Sequence, residues 1–455
     1  MEMILEFLRD VLSQPALLIG IMSCVGLIAL KRPFHKIMTG TLKPILGYLM
    51  LAAGAGVIVS NLDPLGKMIE HGFHITGVVP NNEAIVAVAQ KVLGVETMSI
   101  LVVGLLMNLL IARFTKFKYV FLTGHHSLFM ACLMSAVLGT AGLSGIELIL
   151  VGGFLMGAWS AISPAIGQSY TSKVTDGDEI ALGHFGSLGY YLSAWVAKYV
   201  GKAEDSTEDI EIPEKWGFLR DSTLSTALTM IVFYLIAALA AGSEFVATLS
   251  GSMSPYLFAV MSAMNFAVGV AIVYSGVRMI LGDLIPAFQG IATKIIPNAI
   301  PAVDCAVFFT YAPTAVVLGF ISSFIGGIIG MLVLGAVGGV LIIPGLVPHF
   351  FCGATAGIYG NATGGRRGAA VGAFLNGLAI TFLPALALPV LGQLGFQNTT
   401  FGDADFAVIG LVLGNAFEWI GMAGIYGIVA IAFLVLIIPN FIKTKGKVIN
   451  YVEEE

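Results

Sequence analysis

The chain has 455 residues, of which 57% are hydrophobic and 11% charged, and its mean hydropathy is +0.94. Such an apolar composition excludes a soluble globular fold, because most side chains must face lipid or other membrane helices. The net charge of −5 carries little information, the sequence has no basic pattern typical of nucleic-acid binding, and the four isolated cysteines form no redox or metal-binding motif. We therefore expect an all-α polytopic membrane protein.

Apolar runs long enough to cross a bilayer recur from one end of the chain to the other. A crossing needs roughly 20 apolar residues, so the sequence predicts about eleven transmembrane helices in a single integral-membrane domain over 1–455. The many glycines suit close helix contacts and broken helices, both common in transporters. The predicted spans lie near 16–31, 44–60, 97–112, 120–139, 145–162, 224–241, 256–275, 318–334, 343–361, 369–390 and 422–440.

The clusters of lysine and arginine fall in loops on one predicted side of the membrane. The loops near 140–144, 242–255, 335–341 and 391–405 contain neither residue. The positive-inside rule then places the N-terminus outside and the C-terminus in the cytoplasm of a bacterial inner membrane. The segment 163–223 is predicted to be a cytoplasmic loop, whose charged part either docks a cytosolic protein or is a solvated linker.

Two proline-rich segments, 61–84 and 282–305, share a pattern. Each has a proline, a basic residue, and a second proline that is followed three positions later by an acid. The acid is Glu83 in the first segment and Asp304 in the second. The predicted topology puts the two segments on opposite sides of the membrane, as re-entrant hairpins of opposite orientation.

A second pair of landmarks supports this pattern. The motif LTGH ends at His125, and LVPH ends at His349, at about the same distance beyond each segment. We therefore expect inverted repeats over approximately 16–200 and 224–440, an arrangement typical of alternating-access transporters. The alternative is a chance similarity between two proline-rich segments.

Glu83 and Asp304 are candidates for the substrate site because both lie in apolar surroundings. A charged side chain within a span costs on the order of 2.5–3.5 kcal/mol, so it needs a polar cavity or a partner. A carboxylate accepts hydrogen bonds from the vicinal hydroxyls that a sugar or polyol supplies in pairs. The alternative is that backbone N–H groups of a broken helix satisfy both side chains.

His125 and His184 each follow a glycine, in GHHSLF and LGHFGS. An imidazole donates to or accepts from a substrate hydroxyl and assists its deprotonation. The alternative for each is a helix-capping or carbonyl-bonded histidine. His349 is flanked by a proline and two phenylalanines, which favours a packing role.

Five segments carry a resemblance to a known family: 18–31, LTGHH at 122–126, VTDGDEIALGH at 174–184, GVRMILGDLIPAFQGI at 276–291 and AVDCAVFFTYAPTAVVLGF at 302–320. Over essentially its whole length the chain resembles the ascorbate permease IIC component of the phosphoenolpyruvate-dependent phosphotransferase system (PTS), in the ascorbate/galactitol superfamily. The resemblance implies a lipid-embedded homodimer with a rigid dimer-forming part and a mobile part that carries the substrate.

The resemblance also implies group translocation, in which a cytosolic IIB protein phosphorylates the incoming substrate from a phosphocysteine and IIA recharges IIB. We expect IIA and IIB to be separate chains, and we expect no catalytic residue, cofactor or metal ligand in this one. The substrate contacts that the resemblance implies are Asn82, Glu83, His125, His184 and Asp304.

Three differences from the ascorbate-transporting relatives bear on which substrate this chain binds. Phe129 and Phe185 stand where ascorbate-transporting relatives tend to have glutamine, and residues 81–83 read Asn-Asn-Glu in place of a Thr-Tyr pair. Replacing amides by aromatic rings removes partners for an enediol and offers a ring face to a sugar. We expect L-ascorbate or a related sugar or polyol. The alternatives are an ion-coupled secondary transporter, whose Glu83 and Asp304 bind protons or Na⁺, and an integral-membrane enzyme, which has the least support.

Overall fold

The computed structural model describes residues 11, 14–74, 77–78, 80, 82–210, 222–392 and 400–441. Among these residues, seven helices are long and apolar enough to cross a membrane, or eight if a bent helix pair is counted as one span. The protein is therefore an all-α, multi-pass membrane protein, as the sequence predicts. The count of about eleven spans stays a prediction.

The first half contains six helices and two short strands among the described residues. In chain order the elements are α1 (Pro15–Ala29), α2 (Phe34–Gly72), α3 (Asn82–Phe114), β1 (Tyr119–Phe121), α4 (Gly124–Thr140), α5 (Gly145–Thr175), β2 (Ala181–Leu182) and α6 (Ser187–Val200).

The second half continues with α7 (Ser222–Ala241), α8 (Ser243–Ser250), α9 (Pro255–Lys294), β3 (Ile300–Val303), α10 (Pro313–Ala336), α11 (Leu346–Gly392), α12 (Ala404–Ile420) and α13 (Met422–Ile437). Short 3₁₀ turns occupy Thr207–Asp209, Cys305–Thr310 and Ile438–Phe441. The bent pair is α7 and α8, which meet at an angle of 117°.

Two long helices, α2 and α9, contain the first parts of the predicted hairpin segments, and each has a proline inside it at this place. Pro64 lies inside α2 and Pro286 inside α9, so the first part of each segment predicted as a re-entrant hairpin is helical. Proline removes one backbone hydrogen bond, and neighbouring helices in a membrane compensate for that loss. The hairpin prediction is therefore wrong for 61–72 and 282–294.

α2 and α9 cross in backbone contact. Gly47 lies against Gly276, and Gly54 lies against Gly269, so the two helices are antiparallel. A Cβ atom on any of these four glycines would meet the backbone of the opposite helix. Small residues at such a crossing allow the close approach that holds membrane helices together.

The predicted cytoplasmic loop at 163–223 is largely helical where the structure describes it. α5 continues to Thr175, and α6 packs along α11. Buried polar residues such as Gln168 and Thr171 lower the apolar character of this stretch, which explains why the predicted span ends too early. The loop prediction is therefore wrong for 163–175 and 187–200, and residues 211–221 lie outside the described part of the chain.

Residues 202–210 follow α6 and are attached to the rest of the protein. The backbone N–H of Thr207 donates to Asn361 Oδ1 at 2.8 Å. The Glu208 carboxylate accepts from the backbone N–H groups of Thr314 and Ala315, at 3.0 and 3.1 Å, at the start of α10. A carboxylate at a helix N-terminus satisfies donors that have no partner within the helix.

α11 is broken near its middle, between the ninth and tenth predicted spans. Gly365 has φ +61° and ψ −154°, a conformation that glycine adopts and other residues adopt only under strain. The two halves fold back on each other, because Gly353 and Gly377 both lie against Ser323 of α10.

A small parallel sheet lies among the helices, with β3 between β1 and β2. Tyr119 of β1 pairs with Ile300 of β3, and Leu182 of β2 pairs with Val303. The Asn108 side chain of α3 donates to the Tyr119 carbonyl at 3.1 Å. The strands are two to four residues long. Runs this short show no alternating pattern, so the sequence does not predict them.

Candidate substrate-binding site

The three strands bring together three of the predicted site residues. His125 follows β1, His184 follows β2, and Asp304 directly follows β3. Because parallel strands end at the same edge of a sheet, these segments enter one region of the protein. The sheet therefore positions side chains that are far apart in the chain.

A cavity of about 740 Å³ opens at this edge. It extends along α2 and is closed by the segment 343–352 and by Asp403. Its volume falls in the range of ligand pockets, roughly 300–1,000 Å³. We call the part of the cavity around the three predicted site residues the site end. Its polar and aromatic lining residues are Tyr48, Asn82, His125, His126, Phe129, His184, Asp304, Cys352 and Asp403.

His125 and Asp304 face each other across the two repeats that the sequence predicts. The distance between His125 Nε2 and Asp304 Oδ2 is 3.4 Å, and His125 Nδ1 lies 3.2 Å from the Tyr48 hydroxyl. Asp304 Oδ1 accepts the backbone N–H of Ala306 at 3.1 Å, which caps the following 3₁₀ turn. Thus backbone capping orients Asp304, while one of its oxygens stays directed at His125.

His184 and His126 lie ring to ring, with centroids 3.8 Å apart. His184 Nδ1 accepts the backbone N–H of Gly186 at 3.1 Å, and His126 Nδ1 accepts that of Phe185 at 3.4 Å. A backbone N–H only donates, so Nδ1 is unprotonated in both rings, and both imidazoles are neutral. Each then carries its proton on Nε2.

Asp403 is a site residue that the sequence analysis misses. Asn82 Nδ2 donates to Asp403 Oδ2 at 2.7 Å, and Cys352 Sγ donates to Asp403 Oδ1 at 2.9 Å. Asp403 Oδ1 also lies 3.8 Å from His184 Nδ1, which is too far for a hydrogen bond. The assignment of 391–405 to an external loop is wrong for 400–405, because this stretch is buried at the site.

Asn82 has a structural contact in addition to its place at the cavity. Its Oδ1 accepts the backbone N–H of Gly402 at 3.0 Å, while its Nδ2 binds Asp403. Asn82 thus fastens the start of α3 to the segment before α12. The predicted substrate contact of Asn82 stays a prediction.

A signal for Asp403 was present in the sequence. Asp403 and Asp405 stand two residues apart at the start of an apolar run, where an unpaired charge is costly. Asp405 is fully satisfied, because it accepts from the Ser187 hydroxyl at 2.7 Å, the Leu188 N–H at 2.9 Å and the Trp159 indole at 3.1 Å. It fastens α12 to α6 and does not line the cavity among the described residues.

The remaining predicted residues have different outcomes. Glu83 is the second residue of α3, but its side chain lies outside the part of the chain that the structure describes. Phe129 lines the cavity, as expected for a ring face beside a sugar. Phe185 is fully buried and stacks on Phe121 with centroids 4.6 Å apart, so the expectation of a second ring face is wrong.

Two sets of side chains are close enough to hold a metal ion. They are His126, His184 and Asp403, and His184, Asp304 and Cys305, with potential ligand atoms within 4.8 Å of one another in each set. Because hydrogen bonds occupy Nδ1 of both histidines, only Nε2 is free to bind a metal. The expectation that this chain holds no metal stays a prediction.

Comparison with known proteins shows the family of this chain. The family described as the PTS system sugar-specific permease component, EIIC-GAT, matches residues 10–405. A curated protein of Mycoplasma pneumoniae, described as the ascorbate-specific PTS system EIIC component, is 27% identical over 417 residues. The alignment covers 78% of this chain and 62% of that relative, so the chain spans less than two thirds of the relative's length. Because the family match extends over most of its residues, the chain belongs to the EIIC-GAT family of PTS sugar-specific permease components.

Proposed function

We propose that this chain is the substrate-translocating IIC component of a sugar phosphotransferase system. It moves L-ascorbate or a related sugar or polyol across the bacterial inner membrane, and a separate IIB protein phosphorylates that substrate. The observation that carries the proposal is the convergence of His125, His184 and Asp304 on one cavity inside a membrane helix bundle.

The polar groups at the cavity suit a hydroxylated substrate. Asp304 Oδ2 accepts hydrogen bonds, and a neutral imidazole such as His184 offers an Nε2 proton as a donor. A substrate hydroxyl held between such groups has a defined position when the phosphoryl donor on IIB arrives. In this proposal the chain positions the hydroxyl, and the reactive phosphoryl group belongs to the partner.

The crossing of α2 and α9 supports inverted repeats. Pro64 and Pro286 are separated by the same number of residues as Gly47 and Gly269, and as Gly54 and Gly276. These pairs are therefore equivalent positions of the two predicted repeats. Gly47 contacts Gly276, which is the equivalent of Gly54, and Gly54 contacts Gly269, which is the equivalent of Gly47. Such reciprocal contacts are what a two-fold axis between the repeats requires. Repeats of opposite orientation allow alternating access to a site between them.

A homodimer with its N-terminus outside and its C-terminus in the cytoplasm completes the proposal. Labelling of single introduced cysteines in intact cells tests the orientation. We expect a cysteine at exposed Asp209 to react only after the membrane is permeabilised, because the proposed topology puts the segment that contains Asp209 on the cytoplasmic side. Reaction in intact cells would contradict this topology.

Transport by right-side-out vesicles distinguishes this function from an ion-coupled transporter. Vesicles containing the protein are loaded with phosphoenolpyruvate and the soluble phosphotransfer proteins, and labelled L-ascorbate, alditols and aldoses are supplied outside. We expect a labelled phosphate ester to accumulate only when phosphoenolpyruvate is present. Accumulation of unmodified substrate under a proton or Na⁺ gradient, without phosphoenolpyruvate, would refute group translocation and favour the ion-coupled alternative.

A further inference from the structure

The charges around the cavity are mostly negative. Asp63, Glu70, Asp304 and Asp403 line it, whereas Lys67 is the only lysine or arginine among the described lining residues. Lys67 Nζ is paired with Asp63 Oδ2 at 2.8 Å. Along α2, Lys67 lies about 28 Å from Tyr48, at roughly 1.5 Å per residue.

Histidines at the site end offset little of this negative charge. His126 and His184 are neutral, because each accepts a backbone N–H at Nδ1. Two carboxylates, those of Asp304 and Asp403, thus lie beside the neutral imidazole of His184.

Asp403 is held as an acceptor. Its side chain is 7% exposed, and both neighbours donate to it, Asn82 through an amide N–H and Cys352 through a thiol. An ionised carboxylate has about four acceptor positions on its two oxygens. Two are used by these neighbours, and the others remain available to a ligand in the cavity.

Asp304 and Asp403 both lie close to His184. Each offers an oxygen within 4.8 Å of a His184 ring nitrogen. A ligand beside His184 is therefore close to both carboxylates, in surroundings where water screens charge poorly. Hydroxyl groups gain acceptors there, whereas a negatively charged ligand is repelled.

We propose, building on the transport function above, that the cavity takes an uncharged polyhydroxy substrate, a sugar or an alditol, and that Asp403 binds its hydroxyls and rejects anions. L-Ascorbate is a monoanion at neutral pH, and this arrangement disfavours it. The amide-to-phenylalanine change at Phe129 acts in the same direction, because Phe129 lines the cavity and an aromatic ring suits a sugar ring.

Matched ligand pairs test the charge preference. The purified full-length protein is titrated with sorbitol against gluconate, galactitol against galactonate, xylitol against xylonate, and L-gulono-1,4-lactone against L-ascorbate. Each pair has a similar carbon skeleton and differs in charge. In every pair that binds, we expect the uncharged member to bind at least about tenfold more tightly.

Asp403→Asn tests the role of this residue. The variant keeps the size of the side chain and an acceptor oxygen but removes the charge, so we expect the preference for the uncharged member to fall by about tenfold. The matched control is Asp209→Asn, which removes one carboxylate from an exposed position outside the described cavity lining. It should leave the preference unchanged, and melting curves confirm that both variants are folded.

The outcomes separate this inference from the proposed function. Tighter binding of ascorbate or of any aldonate than of its uncharged partner overturns the inference and leaves sugar-type transport standing. An unchanged preference in folded Asp403→Asn overturns the role of Asp403. If no ligand of either charge binds to protein with a cooperative melting transition, the inference and the proposed function both fail.

Discussion

His125 and His349 occupy similar places in the sequence and different environments in the structure. Each ends a short Leu-X-X-His motif, and each lies near the start of a helix, α4 or α11. The His125 side chain is 40% exposed and lies between the Tyr48 hydroxyl and Asp304. His349 is 2% exposed, bonds to the Ser323 hydroxyl at 2.9 Å, and packs edge-on against Phe324.

The difference shows that matching positions in a predicted repeat need not share a role. A carboxylate and a cavity make His125 available to a ligand, whereas a hydroxyl and an aromatic ring make His349 part of the packing. The proline and phenylalanines around His349 indicated this packing role in the sequence. Substitutions at the two histidines should therefore affect different properties.

The largest expected effect is on stability, at His349. His349→Ala leaves a cavity beside Phe324 and removes the partner of Ser323, so we expect the free energy of unfolding to fall by about 2–4 kcal/mol. Thermal unfolding in detergent measures this change. Affinity for the tightest-binding uncharged ligand, measured below the unfolding transition, should stay within about twofold of wild type. A loss of affinity without a loss of stability would contradict the packing role.

His125→Ala should have the opposite pattern. Removal of the imidazole takes away a hydrogen-bonding group at the cavity, so we expect binding of the same ligand to weaken by about 2 kcal/mol, or roughly thirtyfold. Because the side chain is partly exposed, the unfolding temperature should change little. Titration calorimetry and a melting curve on the same sample measure both properties, and unchanged affinity would remove His125 from the site.

The smallest effects concern the hydroxyl partner of each histidine. Tyr48→Phe removes the contact with His125 Nδ1, so we expect binding to weaken by about 1 kcal/mol, or roughly fivefold. Ser323→Ala leaves His349 Nδ1 without its partner and should lower stability by about 1 kcal/mol without changing affinity. If both variants behave alike in both assays, the contrast between the two histidines is wrong.

Several parts of the site were predictable because they break a rule of membrane composition. An ionisable residue in an apolar run is costly and so needs a polar partner, which is the reasoning that identifies Asp304, His125 and His184. The same reasoning applies to Asp403 and was not extended to it, because 391–405 lies between two predicted spans and was interpreted as a loop on the outer side. A count of basic residues gives the side of the membrane and does not show whether a segment is buried.

Other parts could not be predicted from local sequence. The strands that align His125, His184 and Asp304 are too short to show a pattern, and each pairs with a segment far away in the chain. Tyr48 and Cys352 are ordinary residues of apolar helices until folding brings them to His125 and Asp403. The extension of α5 to Thr175 was missed because buried polar side chains resemble loop residues in composition.

The sequence by itself determined that the chain is a polytopic helical membrane protein, because apolar length is a local property, and five of its segments carried the resemblance to PTS permeases. Tertiary structure alone decided which polar residues meet. Asp403 lines the cavity and Asp405 connects two helices through contacts made across hundreds of positions in the chain, whereas His349 packs against a residue of the preceding helix. Hydrogen-bond partners and exposure depend on those distant contacts, and they separate a binding group from a structural one.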